Sequence, residues 1–334
     1  MTAALVLKAL EEFLAQAAAR FPGDTTARRP GDRVPFHWPP HPISRDFHIT
    51  PHAWSEEAWI EVEGERTKVQ IARSPSGIFG RSERYWNEAK GDSVEEVLAG
   101  IEQGLGELFD RQTAISDTLG WSGRFTASVR DLGPQEWVCL LYCPVRDIGH
   151  ECIQHIESHA SAGIFGPAMV RILRDKVHPW RRCAQWAVLD MFEDLPSFFP
   201  DPRDQDEAVV AIRDFIAENE DDYARAVYKA GVVLGGHICT DAAADALLSL
   251  LSAPHRIGRR SAIHAAFHLV EWRDHDRDRI LDAVQAAAAT ETDPQLKAFA
   301  TGIATDIEAQ RFDHVSEPVF ADEAQAAPAS PNRS

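Results

Sequence analysis

Ala184-Gln-Trp-Ala187, Ala226-Val-Tyr-Lys-Ala230 and Ala262-Ile-His-Ala265 share one pattern of small residues, and each is followed by a leucine: Leu189, Leu234 and Leu269. The alanines that close them, Ala187, Ala230 and Ala265, lie 43 and 35 residues apart. That bracket encloses the period of roughly 40 residues at which pairs of helices repeat. In such an array each pair buries its apolar stripe against its neighbours, and the stack leaves an extended surface that binds other macromolecules.

Working outward, the whole region from Gly149 reads as helix. Helices are expected near 149–161, 164–177, 180–194, 205–219, 221–236, 240–252, 257–272, 275–289 and 294–309. Breaks are expected at Gly163, His178-Pro179, the stretch Pro196 to Pro202, Gly235-Gly236, Pro254, Trp272 to His275 and Asp293-Pro294. Short connections between helices of this size suit antiparallel pairs. The segments 178–195, 254–272 and 293–307 resemble the second helices of HEAT repeats. Each has a proline near its start, then a basic residue (Arg182, Arg260, Lys297), then alanines and leucines. The resemblance covers about half the chain and implies a helical solenoid; it does not name a partner or a reaction.

The first half has different chemistry. Residues 4–20 read as an amphipathic helix with Leu5, Leu7, Leu10 and Leu14 near helical spacing. From Phe21 to His52 seven prolines forbid a helix or a central strand, so an extended arm is expected. Trp59 to Val62 and Val69 to Ala72 alternate as strands around Glu63-Gly64-Glu65, and Ser82 to Trp86 suggests a third. Ser93 then caps a helix carrying Glu95 and Glu96 in its first turn and an apolar face from Val94 to Leu108. Strands followed by Gly91-Asp-Ser-Val-Glu-Glu-Val-Leu98 are also loosely similar to HicB-type antitoxin domains. Phe125 to Val129 and Trp137 to Cys143 are expected to pair as a hairpin around Gly133-Pro134. The resulting fold class is α+β. It comprises an N-terminal helix and arm (1–45), a small, mainly antiparallel α+β domain (46–147), an all-α HEAT-like solenoid (148–311) and a tail rich in Ala, Pro and Ser that is expected to be disordered (312–334).

Composition narrows the function classes. The formal net charge is −18. The first 45 residues carry a small positive balance and every later segment is negative. Without a basic track, nucleic acid is not the expected partner. No apolar run reaches the length of a membrane span, and no basic region precedes an unbroken apolar stretch at the N-terminus. Five cysteines, an odd number in a long chain, read as reduced thiols. Cytoplasmic residence is the expectation.

Several constellations could carry chemistry. Arg182, Trp186 and Asp190 lie one turn apart on one predicted helix, and HEAT-like DNA glycosylases place an aromatic ring, an acid and basic residues on their helical surface. The resemblance would make Trp186 a stacking group and Asp190 an electrostatic one. His255-Arg256 with Arg259-Arg260 opens another helix, where an acidic group could bind, unless acids such as Asp241 or Asp245 take the arginines up. Cys139, Cys143, His150, Cys152, His155 and His159 include zinc-type ligands, with Cys143, Cys152, His155 and His159 the best quartet, although no CxxC or HExxH occurs. Free cysteines are usually buried core residues, which favours a structural role. His264, His268 and Glu271 share a helical face at a spacing that can hold a metal, but Ala265, Ala266 and Phe267 around them favour packing. There is no GxSxG, kinase or dinucleotide signature. The sequence therefore leads to a non-catalytic interaction scaffold with no cofactor and a protein partner of basic character. Its alternative is a glycosylase-type enzyme.

Overall fold

The computed structural model describes residues 1–20, 54–75, 77–85, 87–143, 145–176, 181–219, 224–238 and 240–312; side chains of 18–20, 146, 181–183 and 224–225 are outside the description. The proline-rich segment 21–52, Trp86, Trp180, the acids 220–222 and the tail beyond Phe312 therefore lie outside it. Among the described residues the chain divides into two compact units. One takes 54–128 with 145–148, the other 1–20, 129–143 and 149–312.

The small unit is a four-stranded antiparallel meander, β1 (Trp54–Val62), β2 (Glu65–Ser74), β3 (Gly77–Ser82) and β4 (Glu88–Gly91), in that spatial order. The β1–β2 turn is Glu63-Gly64, with φ of 50° and 79°. Positive φ at both central positions matches the twist of a two-residue hairpin, which explains the glycine. Along β2 the side chains of Thr67, Val69 and Ile71 go inward in strict alternation. They meet one long helix, α2 (Val94–Leu119), through Val97, Ile101, Leu105 and Phe109.

Helix α2 starts where the sequence places it. The Ser93 side chain accepts from the Glu96 amide at 3.1 Å, and the Glu96 carboxylate accepts from the Asp92 amide at 2.8 Å. The helix ends at left-handed Gly120 (φ 70°), where Trp121 N donates to Ser116 O at 2.8 Å. Beyond it Arg124 returns to the sheet, donating to Glu63 (2.6 Å) and Glu65 (3.2 Å) while its guanidinium lies 3.7 Å from the centroid of Phe109.

Two strand assignments from the sequence need correction. The third strand is Gly77–Ser82 rather than Ser82 to Trp86, because Gly80 is buried directly beneath Val97 and Ile101 and leaves no room for a side chain. The expected hairpin over 125–143 does not exist. Pro134–Leu140 is a helix, α3, with Pro134 in its first turn and Glu136 accepting from the Gly133 amide at 3.0 Å. Its apolar run Trp137 to Cys143 is buried in the helical unit. Residues 129–143 thus belong to the helical unit, and the small unit takes up the chain again only at 145–148.

The larger unit is helical throughout. Helix α1 (Ala3–Arg20) buries Val6, Leu10 and Phe13 and packs on α3 and on α5 (Gly166–Leu173). After α4 (Arg146–Glu157) come α5, α6 (Arg181–Met191), a one-turn α7 (Leu195–Phe198), α8 (Pro202–Glu218) and α9 (Ala224–Val232). They are followed by α10 (Asp241–Leu250), α11 (Arg256–Trp272), α12 (Arg277–Thr290) and α13 (Pro294–Glu308). Consecutive helices pack as the pairs α5–α6, α8–α9, α10–α11 and α12–α13. First helices of successive pairs also touch, α5 on α8 on α10, as do second helices, α6 on α9 on α11 on α13. Two layers of helices thus run through the unit.

Helix α9 and the turn that follows it approach α11 closely. A β-carbon added at Gly231 would collide with Ser261, and one at Gly235 with the backbone of Ala265. Small residues on both helices let the backbones meet, and the Ser261 hydroxyl donates across to Val227 O at 2.8 Å. The glycine pair lies in a single π turn, Val233–His237, which ends this helical stretch within a residue of the break expected there.

Candidate functional site

The register that aligns Ala187, Ala230 and Ala265 also aligns the residues immediately before them, Trp186, Lys229 and His264. These occupy equivalent places on α6, α9 and α11, and each is only partly buried while the alanine beside it is fully packed. Second helices therefore present one row of large polar and aromatic groups.

At the α6–α9 end of the row, the Lys229 ammonium stands 5.0 Å from the centroid of the Trp186 ring. It donates to Asp190 and, at 2.9 Å, to Glu193. Burial opposes the charge on Lys229, yet the two carboxylates outweigh it and raise the ammonium above the ordinary lysine range. Glu157, at the end of α4, faces the same two acids. Burial first, then the charges of Asp190 and Glu193, push its carboxyl above the ordinary range. A cation held against an indole face by carboxylates, with a further acid nearby, is the geometry of a site for positive charge.

Removing Lys229 would leave Asp190, Glu193 and Glu157 facing one another. We expect Lys229→Met to lose about 1 kcal/mol of stability, in the range of partly exposed pairs, measured by urea unfolding. No change would mean that the ion pair is not formed in solution.

The α9–α11 end of the row is a second cluster. The Tyr228 hydroxyl hydrogen-bonds Nδ1 of His264, whose Nε2 is 3.0 Å from Nε2 of His268. His268 Nδ1 in turn lies 3.9 Å from Glu271 Oε2. Burial, helped by the neighbouring His264, holds His268 below the ordinary histidine range.

Other residues singled out in the sequence are distributed differently. Arg182 is on α6 with Trp186 and Asp190, but its side chain is outside the description. Trp186 and Asp190 do come together, with Lys229 engaging both. Arg256 and Arg259 turn toward the start of α13 rather than toward Asp241 or Asp245. Arg256 donates to Asp293 at 2.7 Å, and Arg259 to Glu291 at 2.7 Å and to Ala253 O at 3.0 Å. Arg260 is buried, its guanidinium 5.6 Å from the Tyr228 ring centroid. Asp241 and Asp245 instead take Arg273 and Arg279.

Asp293 shows what these arginines do. It accepts from the Gln295 and Leu296 amides at 2.8 and 3.1 Å while Arg256 holds its other oxygen. Burial works to raise this carboxyl, but the Leu296 amide, Arg256 and the Gln295 amide together bring it below the ordinary aspartate value. A carboxyl held low stabilises the fold above the unfolded aspartate value of about 3.9 and stops doing so as pH falls through its folded value. We expect Asp293→Ala to cost about 2 kcal/mol at neutral pH, the upper part of the helix-capping range. The difference from the parent should vanish in acid, as followed by denaturant unfolding across pH.

The zinc-type quartet does not assemble. Among the described residues, the only group of three or more such ligands with atoms within 4.8 Å of one another is Asp241, His275 and Asp276. Arg273 already donates to all three of those residues. Cys139, Cys143 and Cys152 are buried free thiols, and burial pushes Cys139 up to about 12. His155 stacks on Trp137 at 5.1 Å between centroids, and His159 packs edge-on against Trp137 and Phe165. Both imidazoles are spent on packing, which separates them from the thiols.

No helix among the described residues is long and apolar enough to cross a membrane. Comparison with protein-family models, with curated proteins and with solved structures finds no match to this chain.

Proposed function

We propose that this chain is a non-catalytic interaction module, a HEAT-like array of helix pairs whose second-helix face receives a basic segment of a protein partner. The observation that carries the reading is the Lys229 ammonium, seated on Trp186 between Asp190 and Glu193. In this reading it stands in for a lysine or arginine of the partner. Glu157 supplies a further acid beside Asp190 and Glu193, and the net charge of −18 attracts basic chains at long range. A glycosylase-type reading would need the same Trp186 face and the same Asp190 for a cationic base. It would also need basic residues to hold phosphates, and Arg256 and Arg259, at the start of α11, are taken up by Asp293 and Glu291.

Affinity purification from the native host at low salt, with the parent chain beside Asp190→Lys/Glu193→Lys, tests the proposal. Basic proteins retained by the parent and lost from the variant support it. The same proteins on both would remove this face from the interaction.

A further inference from the structure

The His264–His268 pair has a geometry that packing alone does not require. Both residues lie on α11 one turn apart, and their Nε2 atoms point at each other across 3.0 Å. Each outer nitrogen has its own partner: Tyr228 from α9 at Nδ1 of His264, and Glu271, one turn on, at Nδ1 of His268. The Glu271 carboxylate, 3.9 Å away, favours a proton on Nδ1 of His268, and Nε2 then offers its lone pair inward. His264 must then donate from Nε2 and accept at Nδ1 from the Tyr228 hydroxyl. A single proton bridges two inward-facing nitrogens whose rings are fixed from outside.

We propose that His264 and His268 form a chelating site for a divalent transition-metal ion, with Tyr228 and Glu271 as its outer partners. Imidazole suits zinc, cobalt, nickel and copper. At a metal–nitrogen distance of about 2.1 Å, a 3.0 Å separation subtends about 90°, the angle between adjacent positions of an octahedral or square arrangement. On binding, the Nε2 proton of His264 shifts to its Nδ1, which then donates to the Tyr228 hydroxyl oxygen, so two neutral imidazoles present their Nε2 lone pairs to the ion and no net proton is lost. Outer carboxylate and hydroxyl partners of this kind set the tautomer and orientation of ligating histidines. Both rings are partly exposed, so an ion can reach them. His237, on the π turn, is a further imidazole whose charge acts on His268. The inference is independent of the partner-binding proposal, which uses the other end of the row.

Cobalt(II) added to the full chain, free of any affinity tag, provides the test through its visible absorption. One saturable equivalent, displaced by zinc, is expected. His264→Gln and His268→Gln should each abolish it, with circular dichroism confirming that the helices remain. Glu271→Gln should weaken binding about 10- to 100-fold, the usual effect of losing an outer partner. On the parent chain alone, nitrogen spectra of labelled histidine should show two Nε2 signals moving with added zinc. Absence of a saturable equivalent, unchanged uptake by the His264→Gln/His268→Gln variant, or movement of other histidines would overturn the site and leave the pair joined by its proton only.

Discussion

Gly235→Val should be the most damaging single substitution in the helical unit, costing about 3 kcal/mol, the upper end of what overpacking a tight interface costs. The reason is local. The new β-carbon would strike the carbonyl and β-carbon of Ala265 on α11, and that obstacle is backbone, which cannot swing aside as a flexible side chain would. Relief requires the π turn that carries Gly235, and α9 before it, to move away from α11, and that contact also carries the Ser261–Val227 hydrogen bond and the Tyr228–His264 bond. For a unit of this size the melting temperature should fall by about 6 to 12 °C, with faster hydrogen exchange concentrated in 224–238 and 256–272. Gly302→Ala is the control. Gly302 is exposed on α13 with open space around its β-carbon position, so alanine should stabilise by up to about 1 kcal/mol through helix propensity alone. A Gly235→Val melt within a degree of the parent would mean that α9 and α11 do not meet as described.

Phe109→Ala should have a comparable or larger effect on the small unit, about 4 kcal/mol. Phe109 is fully buried at the end of the cluster that Val69, Ile71, Val97, Ile101 and Leu105 form between sheet and α2. Tyr85 meets its ring edge-on at 5.1 Å, and the Arg124 guanidinium covers its face. Truncation opens a cavity and also removes the surface on which Arg124 is held between Glu63 and Glu65. With total domain stabilities of about 5 to 15 kcal/mol, this loss should bring the unit near its unfolding threshold at 37 °C. Urea unfolding followed by exchange over 54–128 would show it. Unaltered protection there would contradict the placement of α2 on the sheet.

The sequence carried much of the helical half because several boundaries have their own chemical marker. Asp201, Thr240 and Asp293 cap helices, Pro202 and Pro294 open them, and the period of small residues marks where second helices touch. The turn Glu63-Gly64 and the Ser93 cap were equally plain. Trp137 to Cys143 misled because a seven-residue apolar run has no resolvable period, and helix and strand then read alike. Gly133-Pro134, read as a hairpin turn, is an ordinary helix start, with proline where an amide would lack a partner anyway. Gly77 and Gly80 look like loop residues. Only the proximity of Val97 and Ile101, far along the chain, explains a glycine inside a strand.

For the site, Trp186 and Asp190 were visible on one helix, but Lys229 was not, since its role depends on contact between second helices of neighbouring pairs. The signal was nonetheless present: Trp186, Lys229 and His264 precede the three aligned alanines. For the arginines, their partners Glu291 and Asp293 lie more than thirty residues away, at the start of another helix.

The most direct test of the proposed binding face compares two lysine substitutions that change the net charge equally. Lys229→Met removes the ammonium from Trp186, whereas Lys297→Met removes an exposed one from α13. An oligolysine peptide titrated at low salt should bind Lys229→Met about tenfold more tightly than the parent, a gain of about 1.4 kcal/mol, because the internal competitor is gone. Its affinity for Lys297→Met should stay at the parent value. Equal affinities for the two variants would show that the peptide responds to net charge alone and that Trp186, Asp190 and Glu193 do not form a site for a partner's cation.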